Sequence, residues 1–223
     1  MDKFLLLLFL FSLTVIPSNG QLNIKVGYSG SYGEANEING VINRFNDERP
    51  FLEQKLNEMH LLSGLEIGFR YRLGISAFEI SWGNVSAESE AFGTDNGVPF
   101  EERLTTSLRS YSVTFDNFLG DFGFGASLAT RKLKMKTDIA GFNRDRQILS
   151  DSGLISRFHI FYQLVSNNVS LTIKPFVEYP WEKLNVYGLE REYFPDSTLP
   201  AQDFDADLTV FGVSFLFYNG PQR

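Results

Sequence analysis

Apolar and polar residues alternate along most of the chain. In residues 64–73, Leu65, Ile67, Phe69, Tyr71 and Leu73 share one parity, and Glu66, Gly68, Arg70 and Arg72 share the other. Successive side chains of a strand point to opposite faces, so this stretch reads as a strand with one apolar and one charged face. The same design opens at 21–32, where Leu22, Ile24, Val26, Tyr28 and Tyr32 oppose Asn23, Lys25, Gly27, Ser29 and Ser31. It returns at 75–87, where Phe78, Ile80 and Trp82 oppose Glu79, Ser81 and Gly83. A fourth strand over 103–115 is less regular, because Arg109 falls on the face of Tyr111, Val113 and Phe115; a bulge or an interfacial position for Arg109 accounts for it.

A tight turn at Leu119-Gly120-Asp121 leads to a fifth strand, in which Phe122, Phe124, Ala126 and Leu128 oppose Gly123, Gly125, Ser127 and Arg131. Its basic end, 131–136, is expected to project beyond the apolar region. The sixth strand sets Leu154, Phe158, Ile160, Tyr162 and Leu164 against Arg157, His159 and Gln163. The seventh sets Val169, Leu171, Ile173, Val177, Tyr179 and Trp181 against Ser170, Thr172, Lys174 and Glu178. The eighth, over 205–218, carries Phe211, Val213, Phe215 and Phe217 on one face.

One stretch breaks the period. Within 34–62, Ala35, Ile38, Val41, Ile42 and Phe45 fall at helical spacing, as do Leu52, Leu56 and Met59. Arg49-Pro50 separates the two groups, since the residue before a proline is pushed out of the helical region. The pattern predicts two short helices. Loops are expected at 92–100, 138–151 and 184–202.

Eight strands with alternately long and short connections form a meander whose short turns lie at one end and long loops at the other. That asymmetry belongs to transmembrane barrels of the bacterial outer membrane. Aromatic residues collect at both strand ends: Tyr71, Phe78, Phe115, Phe122, Tyr162 and Phe217 by the short turns, and Tyr32, Trp82, Tyr179 and Trp181 by the loops. Girdles of this kind mark the two membrane interfaces. A soluble lipocalin-like barrel would use the same alternation with the opposite orientation. Turn asymmetry and girdles favour the membrane version. The expected fold is all-β: an eight-stranded antiparallel up-and-down transmembrane β-barrel over 21–218, with a helical insert between strands one and two at 34–62.

Composition narrows the partners. The chain has 223 residues, 22 Phe, 9 Tyr, no Cys and a net charge of −7. An acidic chain without basic clusters argues against nucleic acid. Without cysteine there is no disulfide, thiolate metal site or cysteine nucleophile. The apolar run 4–16 is too short to span a membrane and reads as a signal peptide over 1–20, cut before Gln21. Localisation in the outer membrane of a Gram-negative bacterium is expected, with membrane lipids as surroundings and a monomeric barrel closed by one chain.

The chain resembles the small eight-stranded outer-membrane barrels, the OmpA membrane domain and OmpX class, in architecture and in the final-strand pattern Val213, Phe215 and Phe217. Its leader, acidity and Phe-rich last strand look like Bacteroidota barrels. It departs from the class in the tail 219–223 after the last aromatic. The resemblance implies no cofactor. No peptidoglycan-binding domain is seen, which removes a wall-anchoring role.

Lys25, Glu66, Arg70, Arg72, Glu79, Arg157, His159, Lys174 and Glu178 all map to the inner face. Eight strands enclose a space that side chains just fill, so these charges are expected to satisfy one another as a plug. A proton or ion path is the other reading of the same set. His60 and His159 have no nucleophile-and-base motif beside them, which argues against an enzyme; a lipid-modifying barrel would depend on one of them. Asp203, Asp205 and Asp207 are a weak candidate for a calcium site, or else a solvated acidic strand start. The sequons at Asn84 and Asn168 and the short Asp196-Ser197-Thr198 signal are patterns only. The apolar residues of the insert, Ile38, Val41, Ile42, Phe45, Leu52, Leu56 and Met59, need a covering surface. They either cap the barrel mouth or dock a partner protein. The expected function is a non-enzymatic surface barrel, structural or partner-binding through outer loops, with an accessory barrel of a secretion or assembly complex as the alternative.

Overall fold

A computed structural model describes residues 20–140 and 143–220. The expected signal peptide therefore lies outside the described residues except for Gly20, and the tail except for Asn219 and Gly220.

Eight antiparallel strands close into a ring. They are β1 (Gln21–Gly33), β2 (Leu61–Leu73), β3 (Ser76–Asp95), β4 (Val98–Leu119), β5 (Phe122–Ile139), β6 (Asn143–Val165), β7 (Val169–Pro180) and β8 (Val210–Asn219). Each pairs with its sequence neighbours, and β1 closes the ring on β8 with Val26 opposite Phe217 and Tyr28 opposite Phe215. The protein is an eight-stranded up-and-down transmembrane barrel with a helical insert between β1 and β2.

The alternation sets which face is apolar. Leu22, Ile24, Val26, Leu65, Ile67, Phe69, Ile80, Val113, Phe124, Phe158, Ile160 and Phe215 are all exposed on the outside of the ring. Lys25, Glu66, Arg70, Glu79, Asp116, His159, Lys174 and Glu178 are buried inside it. A soluble barrel has these faces reversed, so the orientation is that of a barrel standing in lipid. Among the described residues no helix is long and apolar enough to cross a membrane; the strands do so. At the short-turn end the outward aromatics pair: Phe78 with Phe115 at 5.1 Å between ring centroids, and Phe122 with Tyr162 at 4.7 Å.

Two of the short turns hold two residues, Gly74-Ile75 and Gly120-Asp121, with glycine first at φ 56° and 71°. A positive φ at that position is what a primed hairpin turn demands, and glycine meets it without a steric cost.

The structure corrects the expected loops at 92–100 and 138–151. Strands β3 to β6 run 18 to 23 residues, about twice what a membrane crossing needs. The β3–β4 hairpin closes only at Asn96-Gly97, both at positive φ, with Asp95 opposite Val98. Above the apolar band the outward face meets water rather than lipid, so polar residues such as Glu88 and Glu90 replace the apolar ones. No bulge occurs at Arg109: β4 keeps unbroken register with both neighbours, and Arg109 points outward, its Cζ 6.0 Å from the Trp82 ring. The region 184–202, expected to be loop, holds a helix, α2 (Tyr187–Tyr193), and a two-residue ladder between Leu184–Asn185 and Asp205–Ala206.

The insert holds one helix where two are expected. Helix α1 (Asn36–Asp47) forms over the first apolar group and ends before Pro50. The second group is extended: Leu52–Gln54 pairs with β3 at Phe92 and Gly93. Beyond it, Asn46 and Asn39 take the place of a neighbouring strand. The Leu56 N–H donates to Asn46 Oδ1 at 2.9 Å, and Asn46 Nδ2 donates to the Leu56 carbonyl at 2.9 Å. The Met59 N–H likewise donates to Asn39 Oδ1 at 2.7 Å. Two side-chain amides seven residues apart on one helix face thus hold this segment against α1.

Candidate functional site

Two features occupy the axis of the barrel. The first is a chain of charges through the lumen. His159 Nε2, on β6, faces Asp116 Oδ1 of β4 at 2.6 Å. Lys174 Nζ of β7 donates to Asp116 Oδ2 at 3.1 Å and lies 3.5 Å from Glu79 Oε2 of β3. Lys25 Nζ of β1 bridges Glu79 at 2.9 Å and Glu66 at 2.7 Å. Arg157 reaches from Glu66, at 3.5 Å, to Glu178 Oε1, to which its Nε donates at 2.8 Å. Arg131 of β5 completes the chain by pairing with Glu178, and its Nη1 donates to the Leu208 carbonyl at 2.7 Å. Cations Lys174, Lys25, Arg157 and Arg131 alternate with anions Asp116, Glu79, Glu66 and Glu178. Each charge lies beside at least one of opposite sign, which offsets the cost of removing it from water.

Hydroxyls and rings fill the remaining positions. Ser29 and Ser214 donate to Glu66 Oε2 at 3.1 and 3.4 Å. The Tyr218 hydroxyl donates to Glu79 Oε1 at 2.7 Å, and the Arg70 guanidinium lies 3.5 Å from the centroid of the Tyr218 ring. Arg72 lies at the short-turn end, where its Nε donates to the Gly74 carbonyl at 3.0 Å and its guanidinium stands 3.9 Å from the Phe118 ring. Phe176 and Phe161 lie across from Gly212 and Gly123 on the inner face; a Cβ on either glycine would come within 2.3 or 2.1 Å of the opposing ring. A lumen cavity of about 30 Å³ among Ser29, Glu66, Arg131, Arg157 and Glu178 has room for a water molecule or two.

The second feature seals the mouth. Ile38, Val41, Ile42 and Phe45 of α1 and Leu52, Leu56 and Met59 of the extended segment are all buried. They form one core with Leu104, Leu133, Met135 and Leu149 from the strand extensions, and with Leu189 and Tyr193 of α2. The apolar stripe expected as a partner surface is thus covered by the chain itself. Phe45 packs on Tyr193 at 4.5 Å, and Arg44 ties α1 to α2 by donating to Glu190 Oε1 at 2.8 Å. Burial pushes the Tyr193 hydroxyl pKa up, with Glu102 adding to it. The Asn43 amide, then His60, hold the Glu58 carboxyl below its ordinary range.

The other sequence candidates do not assemble. Asp203 lies in a one-turn 3-10 helix, Asp205 Oδ1 accepts from Asn185 Nδ2 at 2.8 Å, and Asp207 Oδ1 accepts from Thr209 at 3.1 Å. Among the described residues no group of three acidic or histidine side chains could hold a metal ion. His60 contacts Glu58 at 2.7 Å and stacks on Tyr32. Among the described residues no hydrogen bond joins either histidine to a serine or threonine hydroxyl.

All nine predicted inner-face residues lie inside the ring; seven of them follow one another in the charge chain, and Arg70 and Arg72 stack on rings beside it. The sequence analysis missed Asp116, Arg131 and Tyr218. The period-two pattern carries a signal for all three, since each continues the inward parity of its strand. Asp116 was passed over because the fourth strand was ended at Phe115, and Arg131 because it begins a basic run.

No protein-family model and no curated protein matches the chain. Among solved structures it is similar to Ail, the attachment invasion locus protein of Yersinia pestis, at 14% identity over 90% of this chain and 98% of that one, with a TM-score of 0.48. The complex of Ail with the heparin analogue sucrose octasulfate gives 12% identity, 90% and 98% coverage, and a TM-score of 0.46. Neisserial surface protein A (NspA) gives 11% identity, 91% and 99% coverage, and a TM-score of 0.42. The likeness is one of fold and carries neither ligand nor activity to this chain.

Proposed function

We propose that the protein is a non-enzymatic, closed barrel of a Gram-negative outer membrane that holds a folded cap outside the cell and binds a protein partner through the cap's exposed surface. The observation that carries this is the double closure of the barrel axis. The alternating charges fill the lumen, and an apolar core spans the mouth. A water path would need an open lumen, and catalysis in the interior would need a substrate to enter it. Neither has space.

The cap is rigid enough to present a surface. It rests on four strand extensions and two helices around a single core, so it is a folded unit rather than a set of loops. Its outer wall is charged, but the β3–β4 hairpin also exposes apolar side chains: Phe92, across from Glu101, on one face, and Val98 on the other, beyond Phe100, which packs edge to face on Phe51 at 5.6 Å. Exposed apolar side chains rimmed by polar ones are a usual protein-contact feature. A photo-crosslinking residue placed at Phe92 or Val98 in living cells is expected to give a protein adduct of discrete size, and the same residue at Phe124, in the lipid-facing wall, to give none. Discrete adducts from Phe124 alone would contradict the reading.

A further inference from the structure

We infer that the outer wall from β1 to β5 is a seat for one phosphate-bearing membrane lipid, its phosphate on Arg109 and Lys132 of β4 and β5 and an acyl chain in the groove beside and below them, on β1 to β4. This rests on the reading that the barrel stands in a membrane with its cap outward.

The charge is the first observation. Arg109 and Lys132 are directly opposed on neighbouring strands, and both point outward and are exposed. Like charges at that spacing, about 5 Å between Cβ atoms, destabilise a sheet unless a counter-charge lies over them. Lys134 stands two residues further along the same face. Among the described residues none of these three forms an ion pair. The outward positions flanking them are neutral: Asn84 and Ser86 on β3, and Ser152 and Ser150 on β6. Carboxylates appear only farther out: Glu88 is the next outward position beyond Ser86, Glu90 is engaged by Arg103 at 2.7 Å and Asp145 by Lys136 at 2.9 Å. A chain of net charge −7 thus gathers three cations without an ion-pair partner at one place, the rim of its apolar band.

The second observation is independent of charge. A groove of about 370 Å³, almost wholly apolar, opens on the lipid-facing wall of β1 to β3, lined by Ile24, Val26, Ile67, Phe69, Ile80 and Trp82, with Tyr111 of β4 at its edge. Its upper end is the cross-strand pair Trp82–Tyr111, and the next outward pair along those strands is Asn84–Arg109. The guanidinium lies over the Trp82 ring at 6.0 Å. Two residues of a strand span about 6.7 Å, so a phosphate on Arg109 and an acyl chain in the groove are within reach of one lipid molecule. Guanidinium and ammonium groups both suit a phosphate, the first bidentately.

The test uses the full barrel folded in neutral detergent and native mass spectrometry, with dioleoyl phosphatidic acid and dioleoyl phosphatidylcholine as probes. One phosphatidic acid is expected to be retained in preference to phosphatidylcholine. The double variant Arg109→Gln, Lys132→Gln should weaken retention by about tenfold or more, the loss expected for a charge-assisted contact. Arg103→Gln, at an ion-paired position, should change it little. Ile67→Trp, which fills the groove and removes no charge, should also weaken it. Equal retention of the two lipids, or indifference to both the charge and the groove variants, overturns the seat. Displacement of the lipid by excess inorganic phosphate, with Ile67→Trp neutral, reduces the site to a free-anion site and overturns it as a lipid seat. Heat-dependent migration on gels separates the two readings: a barrel that shows the shift but does not discriminate loses the seat alone, whereas a chain that is soluble without detergent and shows no shift loses both.

Discussion

Lys25 Nζ lies 2.7 Å from Glu66 Oε1, with both side chains almost fully buried at the centre of the barrel. The same ammonium also holds Glu79, so its removal takes the nearest cation from two buried carboxylates, leaving Glu66 with Arg157 and Glu79 with Lys174, each at 3.5 Å. Lys25→Met is expected to destabilise the folded barrel by about 3–5 kcal/mol, the cost of breaking a buried pair by deleting one partner. Urea titration in detergent, followed by the gel shift of folded barrel, reads it. Arg103→Ala breaks an exposed pair with Glu90 and is expected to cost less than about 1 kcal/mol.

The Asn46 amide makes both hydrogen bonds of a missing strand to Leu56. Asn46→Ala leaves a buried N–H and a buried carbonyl unpaired, at about 1–3 kcal/mol each. The loss should appear in the cap and not in the barrel: amide exchange at Leu56 to Met59 accelerates, while the unfolding midpoint of the membrane strands changes little.

Gly212 sits opposite Phe176 on the inner face, and a Cβ there would meet the ring at 2.3 Å and the Gly30 carbonyl at 2.6 Å. Gly212→Val is expected to disrupt folding of the barrel, read as loss of the heat-dependent gel shift. Gly40, on the open side of α1, meets nothing within 4 Å, and Gly40→Ala should stabilise the cap by about 0.5–1 kcal/mol through helix propensity.

Removing residues 35–60 and joining β1 to β2 by a short turn strips the cover from Leu104, Leu133, Met135 and Leu149. The shortened chain is expected to insert, because the eight strands carry their own pairing, but its strand extensions and α2 should become protease-sensitive. Limited proteolysis before and after membrane insertion measures this. Unchanged resistance would show that the insert is not what covers that core.

The strands were legible because each separates lipid from a packed lumen, and that contrast has a period of two whatever the partner strand is. Legibility failed where the contrast fades. Between Glu88 and Phe100 both faces of β3 and β4 are outside the lipid, and the sequence resembles a loop although it pairs without a break to Asp95–Val98. The second apolar group of the insert has helical spacing, but Asn39 and Asn46 reward an extended backbone, and their amides act on residues 10 to 20 positions away. The inner-face charges could be assigned to the lumen from parity alone. Which of them meet could not, because Lys25 with Glu79 and Lys174 with Asp116 are joined across the barrel rather than along any strand.

The central claim is that the barrel is closed. Single-channel recording of the purified full protein in planar bilayers tests it most directly. Filled by the chain from His159 to Arg131 and covered by the α1 core, the protein should give no steady conductance above that of the bare membrane. Large, stable channels would contradict the account, since they would require the buried charges to line water instead of one another.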